Sequence, residues 1–289
     1  MIFLGTGASE GIPDPFCNCD VCRKARESGD PREIRGRSAF AIDRYNLIDF
    51  GPDAHLASAR FGVPLYDLHN IFYTHFHSDH FDLINWESIR MSLTPPHIKV
   101  YLSEPAFAGM QEYRSMLSAR YPDRARDFRF YDEYIQMLPV KLFEPFLADD
   151  MTVSALRTIH EGAFAGETAL NYLFERNGKR FLYAADTGLY GDDNHEFLKG
   201  KPLNTLIMEC SFGKHKAADG FKHLTCDFIE RMISRFRKDG VVTDRTEIYL
   251  THIGHKGGFN HLELQQIMRD RIGPQIDVAY DGMKIADIM

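Results

Sequence analysis

The sequence has no long hydrophobic run. In 289 residues, no segment approaches the roughly 18 consecutive apolar residues that a membrane-spanning helix requires. Residues 1–7 combine a short apolar run with no basic flank, which does not match a signal peptide. We therefore expect no membrane contact, and a cytoplasmic location by default.

An excess of positive charge is also absent. The formal net charge is -7 and the isoelectric point is about 6.0, so a general attraction to a nucleic-acid backbone is not expected. A hydrophobic share of 44% and an aromatic share of 12% exclude the composition of a disordered chain. No shift in composition marks a boundary, which predicts one domain over residues 1–289.

Cysteine is scarce, and its number is odd, with five residues in all. Cys17, Cys19 and Cys22 lie too close together for a disulfide framework, and such a cluster is more typical of a metal site. Cys210 and Cys226 are isolated, and we expect them to be small buried residues.

Apolar runs and turn residues predict two mixed sheets covered by helices, which is an α/β architecture. A strand over 71–74 leads directly into a run of histidines, and further strands are predicted over 140–143, 151–158, 180–185 and 247–251. A stretch rich in Arg, Met and Tyr predicts a largely helical insertion at about 103–135. We expect this insertion to help form the substrate pocket.

The candidate metal ligands begin in the run HFHSDH over residues 75–80. Because side chains alternate along an extended segment, His75 and His77 can face one ion, while Asp79 and His80 face another after the turn. Imidazole nitrogens and carboxylates suit zinc, manganese or iron(II), and two ions need about seven such ligands in all. The run supplies four of them.

Three more candidates follow later strands. His160, Asp186 and His252 each come after an apolar run and shortly before a glycine, at Gly162, Gly188 and Gly254. A single histidine at the end of a strand is more often structural, but loops at strand ends carry chemistry on a rigid scaffold. Together with the run, these positions predict a binuclear metal centre.

In this order, the histidine run, His160, Asp186 and His252 resemble the metallo-β-lactamase superfamily over almost the whole chain. The resemblance implies an αββα four-layer sandwich with the metals along the sheet edges. It also implies that one ion is held by His75, His77 and His160, that the other is held by Asp79, His80 and His252, and that Asp186 bridges the two. Asp49, in the segment LIDFGPD, matches the acidic residue that supports the histidine loop in that superfamily and fixes imidazole orientation.

Cys17, Cys19 and Cys22 leave a tetrahedral zinc site one ligand short. His255 can complete it, because the short segment from His252 could direct one imidazole to each site. The alternative is three reduced loop cysteines without metal. With the segments GTG at 5–7 and GIP at 11–13, these residues resemble the phosphodiesterases of the carbon-phosphorus lyase pathway, in which they hold a structural zinc. The pyrroloquinoline quinone biosynthesis B proteins share a similar cysteine loop but differ at the histidine run.

His223 lies where the phosphodiesterase family carries a histidine suited to protonate a leaving alkoxide. The departing oxygen of a phosphodiester needs a metal or an acid, and an imidazolium suits that role near neutral pH. His215 is the rival, although Lys214 and Lys216 beside it indicate an exposed side chain. Asp79 and His223 are therefore the predicted catalytic residues.

The predicted function is hydrolysis of a phosphodiester in a small or cyclic nucleotide or sugar phosphate, by a hydroxide that bridges two metals. The expected cofactors are two divalent ions, Zn, Mn or Fe, and one structural zinc. The alternative activities are thioester, lactone or β-lactam hydrolysis and transfer-RNA end processing. A further alternative is a non-catalytic scaffold protein that a zinc site stabilises. Transfer-RNA processing would need a long basic or Gly/Pro-rich arm, which the sequence lacks. The expected partner is a small phosphorylated substrate, and the resemblance implies a homodimer.

Overall fold

The computed structural model describes residues 1–122 and 131–286. Within these ranges the strands form a six-stranded sheet and a seven-stranded sheet. The first sheet contains, in spatial order, β1 (Ile2–Gly5), β2 (Ala39–Ala41), β3 (Asn46–Ile48), β4 (Asn70–Phe72), β5 (Ile98–Ser103) and β6 (Ile135–Val140). The second sheet contains β7 (Phe146–Ala148), β8 (Met151–Glu161), β9 (Thr168–Arg176), β10 (Lys179–Ala184), β11 (Thr205–Glu209), β12 (Glu247–Thr251) and β13 (Ile276–Val278).

The helices connect these strands. They are α1 (Asp20–Ser28), α2 (Ala54–Phe61), α3 (Leu83–Arg90), α4 (Glu104–Arg120), α5 (Asp192–Leu198), α6 (Cys226–Lys238) and α7 (His261–Ile272), with short 3₁₀ turns at Pro31–Glu33, Leu65–Asp67 and His255–Gly257. Among residues 1–122 and 131–286, no helix is both long enough and apolar enough to span a bilayer.

The two sheets pack face to face over an aromatic core. Phe72 of the first sheet lies 5.0 Å from Phe174 of the second, measured between ring centroids, in an edge-to-face arrangement. Successive strand residues point to opposite faces: Tyr183 belongs to this central core, whereas Leu182 belongs to the core under α6 and α7. A third core lies on the outer face of the first sheet, under α2, α3 and α4. The layers are therefore helix, sheet, sheet and helix, which confirms the predicted αββα class.

Local sequence signals account for several of these elements. Asn177 and Gly178 both have positive φ, 53° and 73°, as a two-residue hairpin turn between β9 and β10 requires. The α7 helix begins with a capping box, in which Asn260 and Glu263 each accept a hydrogen bond from the other's backbone N–H. Such signals fix where the elements begin and end.

The predicted strand over 140–143 is wrong, because the strand spans Ile135–Val140. Its signal was hidden by Pro139, a residue that weakens a strand prediction. β6 pairs only with β5 and forms the edge of its sheet, where a proline is tolerated because its missing N–H can face away from the neighbour.

The predicted helical insertion is a crossover connection in the part that the structure describes. α4 links β5 to β6, which are parallel neighbours, and parallel strands need such a crossover. The helix packs on the outer face of the first sheet through Ala106 and Met110. Residues 123–130 of the predicted helical stretch lie outside the described residues.

The strands that carry the predicted ligands run in the same direction. β3 to β6 are parallel to one another, and β10 to β13 likewise. β8 is antiparallel to β9, and β9 is antiparallel to β10, so β8 runs parallel to β10. The carboxyl ends of these strands therefore meet at one edge of each sheet.

Candidate metal centre and active site

The predicted ligands lie where strands end. β4 leads into residues 75–80, His160 is the next-to-last residue of β8, and Asp186 and His252 follow β10 and β12. Asp186 and His252 have φ of 49° and 52°, a left-handed conformation that costs a residue with a Cβ about 1 kcal/mol or more. Such strain persists only where the surrounding structure fixes the residue, and it is common at functional sites.

The first group of ligand atoms belongs to His75, His77 and His160. The Nε2 atom of His75 lies 2.9 Å from Nδ1 of His77, and Nε2 of His160 lies 3.3 Å from the same Nδ1. One nitrogen from each ring lies within 4.8 Å of the others. These separations match the edges of a metal coordination sphere, which are about 3.0–3.4 Å for nitrogen ligands at roughly 2.1 Å from an ion.

The second group belongs to Asp79, His80 and His252. The Nε2 atom of His80 lies 3.3 Å from Asp79 Oδ2 and 3.3 Å from Nε2 of His252. His252 Nε2 lies 3.6 Å from Asp79 Oδ2. The rings of His80 and His252 therefore both direct their Nε2 atoms toward one point beside the Asp79 carboxylate.

Asp186 lies between the two groups. Its Oδ2 atom is 2.8 Å from Nε2 of His80 and 3.1 Å from Nε2 of His252, and its Oδ1 atom is 3.9 Å from Nε2 of His160. Oδ2 is buried, yet it has no hydrogen-bond partner among the described residues. A buried acceptor without a donor is costly, and a cation between these atoms would remove that cost. The donor set therefore fits divalent metal ions.

The charge balance of the site supports the same conclusion. Asp49, Asp79, Asp186 and Glu209 are all buried. Burial by itself would lower the pKa of His80, but Asp79, Asp49 and Asp186 hold that pKa well above its usual value. The pKa of His252 is also raised, because the charge of Asp186 and the contact with Asp79 outweigh its burial. Without a metal, the carboxylates therefore favour protonated rings at His80 and His252. Divalent ions can supply that positive charge instead and leave the nitrogens free to bind.

Asp49 orients the histidine loop. Its Oδ2 atom lies 2.7 Å from Nδ1 of His80, and the carboxylate accepts hydrogen bonds from the backbone N–H of Thr74 at 2.8 Å and from the Thr74 hydroxyl at 2.9 Å. A proton on Nδ1 of His80 leaves Nε2 as a lone-pair donor directed at Asp186. This is how an outer carboxylate fixes the tautomer of a ligating histidine.

Glu209, the last residue of β11, forms a second outer carboxylate that the sequence analysis missed. It accepts hydrogen bonds from the Thr187 backbone N–H at 2.7 Å and from the Ser211 hydroxyl, and Ser211 Oγ is 2.8 Å from Nδ1 of His252. One carboxylate thus contacts the residue after Asp186 and the hydroxyl group behind His252. An available signal was the apolar run ending in an acidic residue, but Cys210, not a glycine, follows it.

His223 lies beside the cluster, with Nδ1 3.2 Å from both oxygens of Glu209 and 3.7 Å from Oδ1 of Asp186. Burial lowers the pKa of His223, but the charge and hydrogen bond of Glu209, followed by the charge of Asp186, raise it to about 9. His215 is exposed, and its ring packs against Phe212 and Phe221. The structure therefore places His223, and not His215, beside the candidate metal ligands.

The cysteine cluster forms a separate candidate site. The Nδ1 atom of His255 lies 3.5 Å from Sγ of Cys19 and 3.4 Å from Sγ of Cys22, and one ligand atom from each of these residues and Cys17 lies within 4.8 Å of the others. In a tetrahedron with Zn–S of about 2.3 Å and Zn–N of about 2.05 Å, the S to N edge is about 3.5 Å. The geometry fits zinc.

The candidate active site, formed by the histidine and aspartate ligands, opens into a cleft of about 230 Å³. It is lined by six residues of the candidate site, His77, Asp79, His160, Asp186, His223 and His252. The other lining residues are Ala8, Ser9 and Glu10 of the N-terminal loop, Ser211 and Phe212, and Gly254 and Lys256 of the loop that follows β12.

A family comparison covers most of this site. Residues 41–235 match the family model described as Anti-Pycsar protein Apyc1, a segment that contains the histidine run, His160, Asp186 and His223. The chain belongs to this family. His252 and the four residues of the cysteine site lie outside the matched segment of the Apyc1 family.

Among curated proteins, this Apyc1 family chain is similar to the octanoyltransferase of Porphyromonas gingivalis (strain ATCC BAA-308 / W83). The two are 26% identical over 287 residues, which cover 98% of this chain and 50% of that protein. The chain therefore spans half the length of this curated relative.

Solved structures with the same fold include a diphosphatase from the PhnP family, with a TM-score of 0.70 and 24% identity over 99% of this chain and 96% of that one. Zn(2+)-bound PqqB from Methylobacterium extorquens has a TM-score of 0.71 and 16% identity over 99% of both chains. The metallo-β-lactamase fold protein YhfI from Bacillus subtilis has a TM-score of 0.65 and 18% identity over 98% and 97%. This Apyc1 family chain therefore has the metallo-β-lactamase fold, as the sequence predicted.

The structure brings the seven predicted active-site ligands into one cluster and the four predicted zinc ligands into another. Their roles, and the identity and number of the ions, stay predictions. No described residue of the predicted insertion at 103–135 lines the cleft, and the expected contribution of this insertion to the substrate pocket stays a prediction.

Proposed function

We propose that this chain is a metal-dependent phosphodiesterase that uses two divalent ions and acts on a small or cyclic nucleotide or sugar phosphate. The observation that carries the proposal is the position of His223. Its ring lies beside the metal cluster, and its Nδ1 atom is held by Glu209. An alkoxide is a poor leaving group without a proton, so an acid at this position favours phosphodiester chemistry.

Divalent ions bound by the cluster would supply a hydroxide nucleophile near neutral pH and would neutralise charge on the phosphate. The chain's own residues do the rest. Asp49 and Ser211 fix the rings of His80 and His252. Glu209 holds the Nδ1 side of the His223 ring, so Nε2 is the nitrogen that can deliver a proton in the cleft. The raised pKa of His223, about 9, keeps that proton on the imidazole at neutral pH.

The size of the cleft supports a small substrate. A volume of about 230 Å³ lies below the usual range of about 300–1,000 Å³ for drug-sized ligands. A cyclic nucleotide or a sugar phosphate is of suitable size, whereas a folded RNA would have to bind mainly outside the cleft.

Thioester or lactone hydrolysis is the main alternative, because the same metals can act on a carbonyl. A thiolate leaves without help from an acid, so the pair of Glu209 and His223 favours substrates that release an alkoxide over thioesters. The octanoyltransferase similarity adds little support, since this chain spans only half of that protein. A non-catalytic scaffold is disfavoured because all seven predicted ligands are present and close together.

The test is a panel of substrates with the metal-loaded protein: bis(p-nitrophenyl) phosphate, 2′,3′-cyclic and 3′,5′-cyclic nucleotides, and an S-octanoyl thioester. We expect turnover of at least one phosphodiester. With a cyclic nucleotide, which releases an alkoxide, His223→Ala should lower kcat by roughly 10²–10⁴. His215→Ala is the matched control, since this histidine is exposed in the same loop, and it should keep full activity. Full metal occupancy with turnover of the thioester alone would refute the proposal.

A further inference from the structure

Among the described residues that line the cleft, Lys256 is the only lysine or arginine. Its Nζ atom lies 2.7 Å from Oε1 of Glu10. The Lys256 side chain is more than half exposed, at 59%, whereas the Glu10 side chain is only 21% exposed. The carboxylate is thus the fixed member of this ion pair, and the ammonium is the accessible one.

Several contacts hold Glu10 in place. Oε1 lies 3.4 Å from Nε2 of His255, and Oε2 accepts a hydrogen bond from the Ser9 hydroxyl at 3.3 Å. The loop itself is tied to the segment after β12, since Ala8 N–H donates to the Ile253 carbonyl at 3.1 Å. The opposite nitrogen of the His255 ring faces the cysteine cluster, so Glu10 is anchored to the same residue that completes the candidate zinc site.

The ammonium of Lys256 keeps N–H groups that the ion pair with Glu10 does not use. Glu10 receives contacts from Lys256, His255 and Ser9, whereas the ammonium of Lys256 has three N–H groups, of which the contact with Glu10 occupies one. The remaining N–H groups can reach a ligand in the cleft.

We propose that Lys256 is a substrate-binding residue that donates to an anionic oxygen of the phosphodiester, and that Glu10 is the positioning residue that holds its ammonium at the cleft. This inference rests on the proposed function. Metal ions held by the ligand cluster and the ammonium of Lys256, which lines the same cleft, would then share the negative charge of the phosphate. A neutral ester would gain much less from the lysine.

The test uses bis(p-nitrophenyl) phosphate with the metal-loaded full chain. Lys256→Met should raise KM about tenfold, as expected for the loss of one charge-assisted hydrogen bond, and should leave kcat within about twofold, because the interaction is made with both substrate and transition state. Lys256→Arg should recover most of the loss. Glu10→Gln should raise KM by less, since the ammonium remains but is no longer held.

The double variant tests positioning directly. If Glu10 acts through Lys256, then Glu10→Gln together with Lys256→Met should have the KM of Lys256→Met alone. Zinc content and the thermal midpoint, measured on every variant, separate this effect from damage to the cysteine site.

Lys222→Met is the matched control. Lys222 also forms an ion pair of 2.7 Å, with Glu161, and lies near the active site without lining the cleft. An equal rise of KM in Lys222→Met and Lys256→Met would show that only the general potential matters and would overturn the proposal. So would an unchanged KM in Lys256→Met, or effects of Glu10→Gln and Lys256→Met that simply multiply. If the unmodified protein turns over no phosphodiester, the proposed function itself is wrong, a separate outcome.

Discussion

Replacement of Asp49 by asparagine tests how far the metal cluster depends on an outer carboxylate. The substitution keeps the shape of the side chain but replaces one acceptor oxygen with an NH₂ group. Asp49 accepts from the Thr74 backbone N–H at 2.8 Å, from the Thr74 hydroxyl at 2.9 Å and from His80 Nδ1 at 2.7 Å. An amide can serve only part of this set, so a buried donor is left opposite another donor.

The consequence falls on His80. To accept from the new NH₂ group, the ring must move its proton from Nδ1 to Nε2, the nitrogen that lies 2.8 Å from Asp186. A protonated Nε2 cannot bind a metal. Loss of such an outer contact typically weakens metal binding 10–100-fold, equivalent to about 1.4–2.8 kcal/mol. The mismatched hydrogen bonds should cost the metal-free protein roughly 1–3 kcal/mol of unfolding free energy.

The assay is metal competition against a chromophoric chelator, with urea unfolding of the metal-free protein. Asp67→Asn is the control, because Asp67 pairs with the exposed Arg44, and surface pairs contribute about 0–1 kcal/mol. Wild-type metal affinity together with wild-type stability in Asp49→Asn would refute the reasoning.

Three further predictions concern other parts of the molecule. Glu209→Gln should lower kcat on a phosphodiester roughly 100-fold and leave KM within about twofold, because it removes the carboxylate beside His223 and not a substrate contact. Steady-state kinetics measures both constants, and a kcat equal to that of the wild type would contradict the prediction. Gly188→Ala would place a Cβ 2.3 Å from the Phe221 carbonyl oxygen and should lower the free energy of unfolding by about 3 kcal/mol or more. Gly191→Ala is the control, because its Cβ would meet only the flexible Asp193 carboxylate within 4 Å, and it should lower that free energy by less than about 1 kcal/mol. Thermal unfolding compares the two variants. Burial and the nearby arginine charges lower the pKa of His261 to about 4, below its unfolded value of about 6.5. As the pH falls, His261 is therefore protonated first in the unfolded chain, and the free energy of unfolding should fall by roughly 2–3 kcal/mol between about pH 6.5 and pH 4. In urea unfolding, His261→Gln should lack this part of the pH dependence. An unchanged slope of unfolding free energy against pH would count against the prediction.

The site was more predictable than the fold around it. Metal ligands must be His, Asp, Glu or Cys, and a strand end is visible as an apolar run followed by a break, so the seven candidates could be found without coordinates. β6 was misplaced because Pro139 hides a strand signal that only its edge position permits. The packing of α4 on the outer face of the first sheet could not be predicted, because a helix in sequence does not reveal which face of a sheet it covers.

The sequence by itself determined the chemical identity of the site: which residues can bind metals, their order, and the strand ends that carry them. Only the tertiary structure decided which outer groups support them. Glu209 is one acidic residue among 41 Asp and Glu residues, and its contacts with Ser211 and His223 depend on β11 lying beside β10 and β12. Lys256 and Glu10 are 246 positions apart in sequence and meet only because the N-terminal loop packs against the segment after β12. Hydrogen bonds and ion pairs act over about 3 Å, and such distances between remote segments are set by packing, which local sequence patterns do not encode.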